Sequence, residues 1–179
     1  ATASEIYQSN VTGTNVLRTT TVADFKTGPA WSPDGQKIVY SRNGTQGPNN
    51  ATLRSVDAST LNAANPTVIT NFGSGDTFPN WGSAVIAATP TPSPAPGTGN
   101  GKIAFERFTD SAGVTQIYTI TDTAGATAAV CGGASETREG RRPAFSADGT
   151  KLAFMRAGTI WTSNADCSNQ VSTGSAGDA

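Results

Sequence analysis

Pro29-Ala-Trp-Ser-Pro-Asp-Gly-Gln-Lys-Ile-Val-Tyr40 decides the reading of this chain, because it returns as Pro143-Ala-Phe-Ser-Ala-Asp-Gly-Thr-Lys-Leu-Ala-Phe154. Extended through Arg42 and Arg156, the two copies share seven of fourteen residues. Most of the other positions change like for like: Trp31/Phe145, Ile38/Leu152, Tyr40/Phe154. Each copy reads as two short apolar strands around an Asp-Gly turn, where glycine supplies the positive φ that tight hairpin turns need. The turn chemistry accounts for Asp34 and Asp148 without any catalytic role. A third copy is split. Pro79-Asn-Trp81-Gly-Ser83 gives the first strand and Gly101-Lys-Ile-Ala-Phe105-Glu-Arg107 the second, with 84–100 inserted at the expected turn. The insertion is rich in Pro and Thr. With it removed the repeat keeps a period near 50 residues, the mark of one supersecondary unit stacked on itself.

A second hairpin follows each copy. Its first strands are Leu53–Val56, Ile117–Ile120 and Ile160–Ser163; its second strands are Thr67–Thr70, Ala128–Val130 and Gln170–Thr173. Turn-forming Asn, Asp, Ser and Gly lie between them. Ile6–Ser9 and Asn15–Thr19 match this second hairpin alone. The expected fold is therefore all-β: an array of about three four-stranded antiparallel units, near 29–70, 77–130 and 143–173. An N-terminal orphan hairpin at 5–20 precedes them in a single domain over 1–179. No stretch of ten or more residues keeps a helical period. Trp31, Trp81 and Phe145 occupy equivalent places and are expected between adjacent blades, where large aromatics bury much area. Tyr7, Tyr118 and Trp161 form a second equivalent series.

The pattern of Pro29, Trp31, Ser32, Asp34, Gly35, Lys37, Ile38 and Tyr40 resembles the repeat of TolB-type β-propellers. So does that of Pro143, Phe145, Ser146, Asp148, Gly149, Lys151, Leu152 and Phe154. Ile160-Trp161 with Asn164-Ala165-Asp166 fits the strand and turn that follow in that family. The resemblance implies four-stranded blades around an axis but no single activity. Such propellers serve as binding scaffolds, interaction modules and accessory domains of peptidases. The chain departs from the family in its count of three and a half units, in its split second copy, and in Cys167 standing where glycine is expected.

Composition narrows the function. The chain has 179 residues, 14% of them charged, a formal net charge of −1 and no His. A near-neutral chain carries no electrostatic footprint for nucleic acid or an anionic membrane, and no apolar run reaches the roughly 18 residues of a spanning helix. The absence of His rules out Ser-His-Asp and Cys-His nucleophile pairs. Two Cys cannot fill a tetrahedral zinc site. The reading is a non-enzyme with no catalytic residues, cofactor or metal. Cys131 and Cys167 are expected to form one disulfide in an oxidising compartment. Ala1-Thr-Ala-Ser4 resembles a mature terminus left by signal removal. Asn10, Asn43 and Asn50 head N-glycosylation sequons, and Thr89, Thr91 and Ser93 are candidate O-glycosylation sites in the Pro-rich insertion.

The expected function is a secreted, extracellular or surface structural protein. It would assemble head-to-tail, as a homo-oligomer or filament, through its blade edges, with Ile6, Tyr7, Val16 and Leu17 at the self-assembly surface. Two other readings stand beside it. One is a monomeric recognition module in which the hairpin closes a small four-bladed propeller and the loops bind a glycan or a protein. The other is a fragment of a larger propeller attached to a hydrolase. A periplasmic location is the alternative to an extracellular one.

Overall fold

The computed structural model describes residues 3–43, 50–70, 75–84, 100–109, 113–123, 125–131 and 139–176. These form one two-stranded and three four-stranded sheets, all antiparallel. The hairpin is β1 (Tyr7–Gln8) and β2 (Leu17–Arg18). Sheet 1 is β3 (Phe25–Trp31), β4 (Lys37–Asn43), β5 (Thr52–Asp57) and β6 (Thr67–Val68). Sheet 2 is β7 (Asp76–Ser83), β8 (Asn100–Thr109), β9 (Val114–Thr121) and β10 (Ala129–Val130). Sheet 3 is β11 (Arg141–Phe145), β12 (Lys151–Arg156), β13 (Thr159–Asn164) and β14 (Val171–Ala176). Each sheet keeps its strands in sequence order, and β7 lies between β3 and β11. The first strands therefore gather on one side, as blades gather about an axis.

The repeated motif explains the local geometry. In the first copy the Gly35 N–H donates to the Ser32 carbonyl at 2.9 Å. The Ser32 hydroxyl donates to Asp34 at 2.6 Å, and Asp34 also accepts the Gln36 N–H at 2.9 Å. In the second copy Ser146, Asp148 and Thr150 repeat these contacts at 2.6 and 3.0 Å. Of each Asp-Gly pair only the glycine is left-handed, with φ of 68° and 70°. The connection is thus not the tight two-residue primed turn expected, but a wider turn closed by the Ser and Asp side chains. Those side chains satisfy backbone donors that a two-residue turn would have paired across the strands.

The residue before each repeat proline shifts the strand register: Gly28, Phe78 and Arg142 lie in the shifts of β3, β7 and β11. Their φ values are 58°, 50° and 53°. A side chain in this region is strained, and Arg142 stacks its guanidinium over Phe78 at 3.9 Å.

Alternating side chains give each sheet two faces, so that sheet 2 packs on sheet 1 with one face and on sheet 3 with the other. Val39 and Leu53 of sheet 1 meet Trp81, Ile103, Phe105 and Ile120 of sheet 2. Ala104 and Ile117 of sheet 2 meet Leu152 and Phe154 of sheet 3. Ile6 of the hairpin meets Ile38, Tyr40 and Val56 of sheet 1. Burial pushes the Tyr40 phenol up to about 12. The hairpin is further held by Lys26, which is 4% exposed and lies 2.7 Å from Asp24 and 3.2 Å from Glu5. A parallel bridge joins Thr20 to Ala63. The hairpin thus fills the outer half of a blade ahead of sheet 1.

Cys131, just after β10, and Cys167, between β13 and β14, are joined by a disulfide. Cys167 has φ of 69°, so it occupies the left-handed position that glycine would take more cheaply.

Candidate functional site

The two ends of the array differ from its middle. Equivalent residues make the comparison direct. Trp81 is 6% exposed against sheet 1, and Phe145 is half-buried against sheet 2. Trp31 is 49% exposed. The expectation that all three fill space between blades fails at Trp31 for a physical reason: the hairpin ahead of sheet 1 has two strands, and among the described residues no inner strand covers Trp31. Tyr118 packs on the core between sheets 1 and 2, and Trp161 on that between sheets 2 and 3. Their counterpart Tyr7 is 56% exposed, and among the described residues no sheet covers its face. The edge of β1 away from β2 pairs with no described strand.

At the far end, pairing puts Ala153, Thr162 and Val171 on one face of sheet 3. Alternation adds Met155 and Ile160. Their counterparts in sheet 1 include Val39 and Leu53, which are fully buried against sheet 2. Met155 and Val171 are 36% and 59% exposed. Among the described residues no strand pairing or backbone hydrogen bond joins 5–20 to 143–173. The closed four-bladed arrangement is absent there, and the array is open.

The four residues assigned to self-assembly therefore separate. Tyr7, Val16 and Leu17 are exposed. Ile6 is 5% exposed in the core with sheet 1, so it is corrected to an intrachain contact: as the residue before Tyr7 it points to the opposite face. Trp31 was not assigned to that surface; its signal in the sequence was the missing first hairpin ahead of it. Among the sequons, Asn10 is exposed in the turn of the N-terminal hairpin. Asn43 is half-buried, and Asn50 is half-buried beside fully buried Ala51 and Thr52. Thr89, Thr91 and Ser93 lie outside the described residues.

Two buried carboxylates, Asp76 and Glu106, are committed to structure. Asp76 is fully buried and accepts two bonds from Arg107, at 2.6 and 2.9 Å; burial raises its pKa, and the Arg107 bonds oppose the rise. Burial likewise raises Glu106, which accepts the Arg142 N–H at 2.7 Å. Among the described residues no group of three or more Cys, Asp or Glu could hold a metal ion. No described helix is long and apolar enough to cross a membrane.

A solved structure from Agrobacterium tumefaciens, described as a TolB, superposes with a TM-score of 0.50 at 13% identity, over 98% of this chain and 71% of that one. The fold is that of a TolB-type β-propeller, left open. TolB from Acinetobacter baumannii (TM-score 0.39, 17% identity) is matched over 90% of this chain and 46% of its own. The tricorn protease (TM-score 0.33, 14% identity) is matched over 98% of this chain and 25% of its own. No protein-family model and no curated protein matches the sequence.

Proposed function

We propose that this chain is a non-enzymatic, extracellular structural subunit that assembles head-to-tail through the ends of its TolB-like array into a fibre. The carrying observation is the exposure of Tyr7 and Trp31 where Tyr118 and Trp81 are covered. Among the described residues no sheet covers the face of Tyr7 at one end or that of Met155 and Val171 at the other. Because the units repeat, each end of one copy is shaped to meet the other end of a second copy. Such a contact is heterologous, and it propagates unless the rotation closes a ring. The free edge of β1 adds unpaired backbone groups that a partner strand can satisfy. The disulfide supports an oxidising location, and exposed Asn10 supports a glycosylated surface.

Sedimentation velocity and electron microscopy of the native protein test the reading. Concentration-dependent growth, abolished by Tyr7→Asp and by Val171→Asp, is expected. Both positions are exposed, so the subunit fold should survive. A monomer at all concentrations up to about 100 μM, a range in which roughly −5.5 kcal/mol of association would register, overturns it.

A second reading has one observation in its favour. The array spans 71% of the Agrobacterium chain, so further blades of a longer chain would cover the same two ends. The intact mass of native material separates the two: a mass well above that of this sequence plus glycans supports the longer propeller.

A further inference from the structure

Sheets 1 and 2 and sheets 2 and 3 meet in equivalent clefts beside the motif turns, and among the described residues a Lys–Asp pair spans only the first. There Lys37 reaches across to Asp122 of the following sheet, and the Ser55 hydroxyl donates to the same carboxylate at 3.1 Å. The Asp122 bond raises the Lys37 pKa. Register assigns the counterparts. Lys37 pairs with Asp57, Lys102 with Thr121, and Lys151 with Asn164. Lys102 thus stands for Lys37, and Ala165, one residue past Asn164, stands for Asp122. The second cleft has lost the carboxylate that closes the first.

A cavity of about 480 Å³ lies in its place, lined by Lys102, Thr121, Phe145, Thr150, Ala165 and Asp166, among others. Pockets for small ligands run roughly 300–1,000 Å³. Lys102 is exposed, and no hydrogen bond or ion pair holds it among the described residues; the Asp166 pKa is lowered by the Ser168 bonds and, more weakly, by the Lys102 charge. Phe145 gives an apolar wall, its ring held under the Gly82 backbone so closely that a Cβ there would lie 2.6 Å from it. Asp166 stands at the lip with one carboxylate oxygen taking the Ser168 N–H and hydroxyl, at 2.9 and 2.6 Å.

We propose that this cleft binds a small organic carboxylate, which occupies the place of the missing Asp122 counterpart against Lys102. The ligand body lays an apolar face on Phe145. Its hydroxyl or ammonium groups meet the remaining oxygen of Asp166, which would repel a second anion. An acidic sugar and an apolar α-amino acid both carry this chemistry. The proposal is independent of assembly, since the cleft lies between sheets of one chain.

The test is NMR titration of the ¹⁵N-labelled protein with glucuronate, phenylalanine and, as the neutral control, glucose. A carboxylate is expected to shift the amides of Gly101, Gly149 and Ala165 with a Kd of about 1 mM, and glucose to leave them in place. Whichever of glucuronate and phenylalanine binds identifies the source. Lys102→Met should weaken binding at least about tenfold. Ala165→Asp recreates the Lys37–Asp122 pair and should abolish binding while leaving the spectrum that of the folded protein. Three results overturn the proposal: no shift by either carboxylate at about 10 mM, equal shifts by glucose, or undiminished binding by the folded Ala165→Asp variant.

Discussion

Trp31→Ala isolates the assembly contact, because the burial of Trp31 differs sharply from that of its repeat counterpart Trp81. It is 49% exposed in one chain, against 6% for Trp81, which has a complete neighbour. If a second copy covers Trp31 as sheet 1 covers Trp81, close to half of its surface leaves water on assembly. For a side chain of about 250 Å² that is roughly 110 Å². At ~25 cal/mol per Å² the truncation weakens each contact by about 2.7 kcal/mol, close to 100-fold in association constant. Costs of immobilising the subunit are shared by variant and parent and cancel in the comparison. The single chain should lose little, since the hairpin core of Ile6, Ile38, Tyr40, Val56 and Ala63 does not include Trp31. Sedimentation velocity over a concentration series gives the shift directly. Tryptophan emission of the parent should move to the blue as assembly proceeds, and that of the variant should not. An association constant within about twofold of the parent's, with unfolding by urea unchanged, refutes the reasoning.

Three further outcomes follow from the same geometry. Cys131 and Cys167 are 36 residues apart, so in the chain-entropy treatment losing the bridge in Cys131→Ser costs about 4 kcal/mol, measurable by urea unfolding. Cys131→Ser with Cys167→Gly should recover about 1 kcal/mol of that, because glycine relieves the left-handed position. Gly149→Ala should destabilise by roughly 2 kcal/mol or more, since its Cβ would lie 2.2 Å from the Ser83 carbonyl oxygen at a φ of 70°; a thermal midpoint equal to the parent's would contradict this. The Asp148 carboxyl is held at about 2 by bonds from Ser146 and Thr150. Its folded pKa is depressed, so the turn's contribution is complete above the ordinary aspartate value near 3.8 and is lost as pH falls towards 2. Carboxyl carbon shifts should show that midpoint, and a midpoint near 4 would mean the turn bonds are absent.

Much of the array is readable from residue types alone. The repeat at Pro29 and Pro143 has to form similar hairpins, because Ser, Asp, Gly and Lys act within a few residues of one another. Apolar alternation then says which positions are buried in a blade that has neighbours. Cys131 and Cys167 could be paired on paper because they are the only two cysteines. Position along the array is another matter. Trp31 and Trp81 are alike locally and differ in burial because burial depends on what lies across the sheet face. Ile6 and Tyr7 are adjacent, and only packing shows that Ile6 faces sheet 1 while Tyr7 faces outward. Lys37 and Lys102 sit in the same motif, yet their partners come from the next unit, so the exchange of Asp122 for Ala165 has meaning only once register aligns the sheets.

By itself, then, the sequence determined the repeating unit, its turn chemistry and the half-unit at the N-terminus, all of which arise from short-range hydrogen bonding and side-chain alternation. The tertiary structure alone decided that the array stays open, that Tyr7 and Trp31 are uncovered among the described residues, and that Ala165 stands in the second cleft where Asp122 stands in the first. Those properties depend on which faces meet across sheets, and contacts between residues distant along the chain leave no local pattern to read.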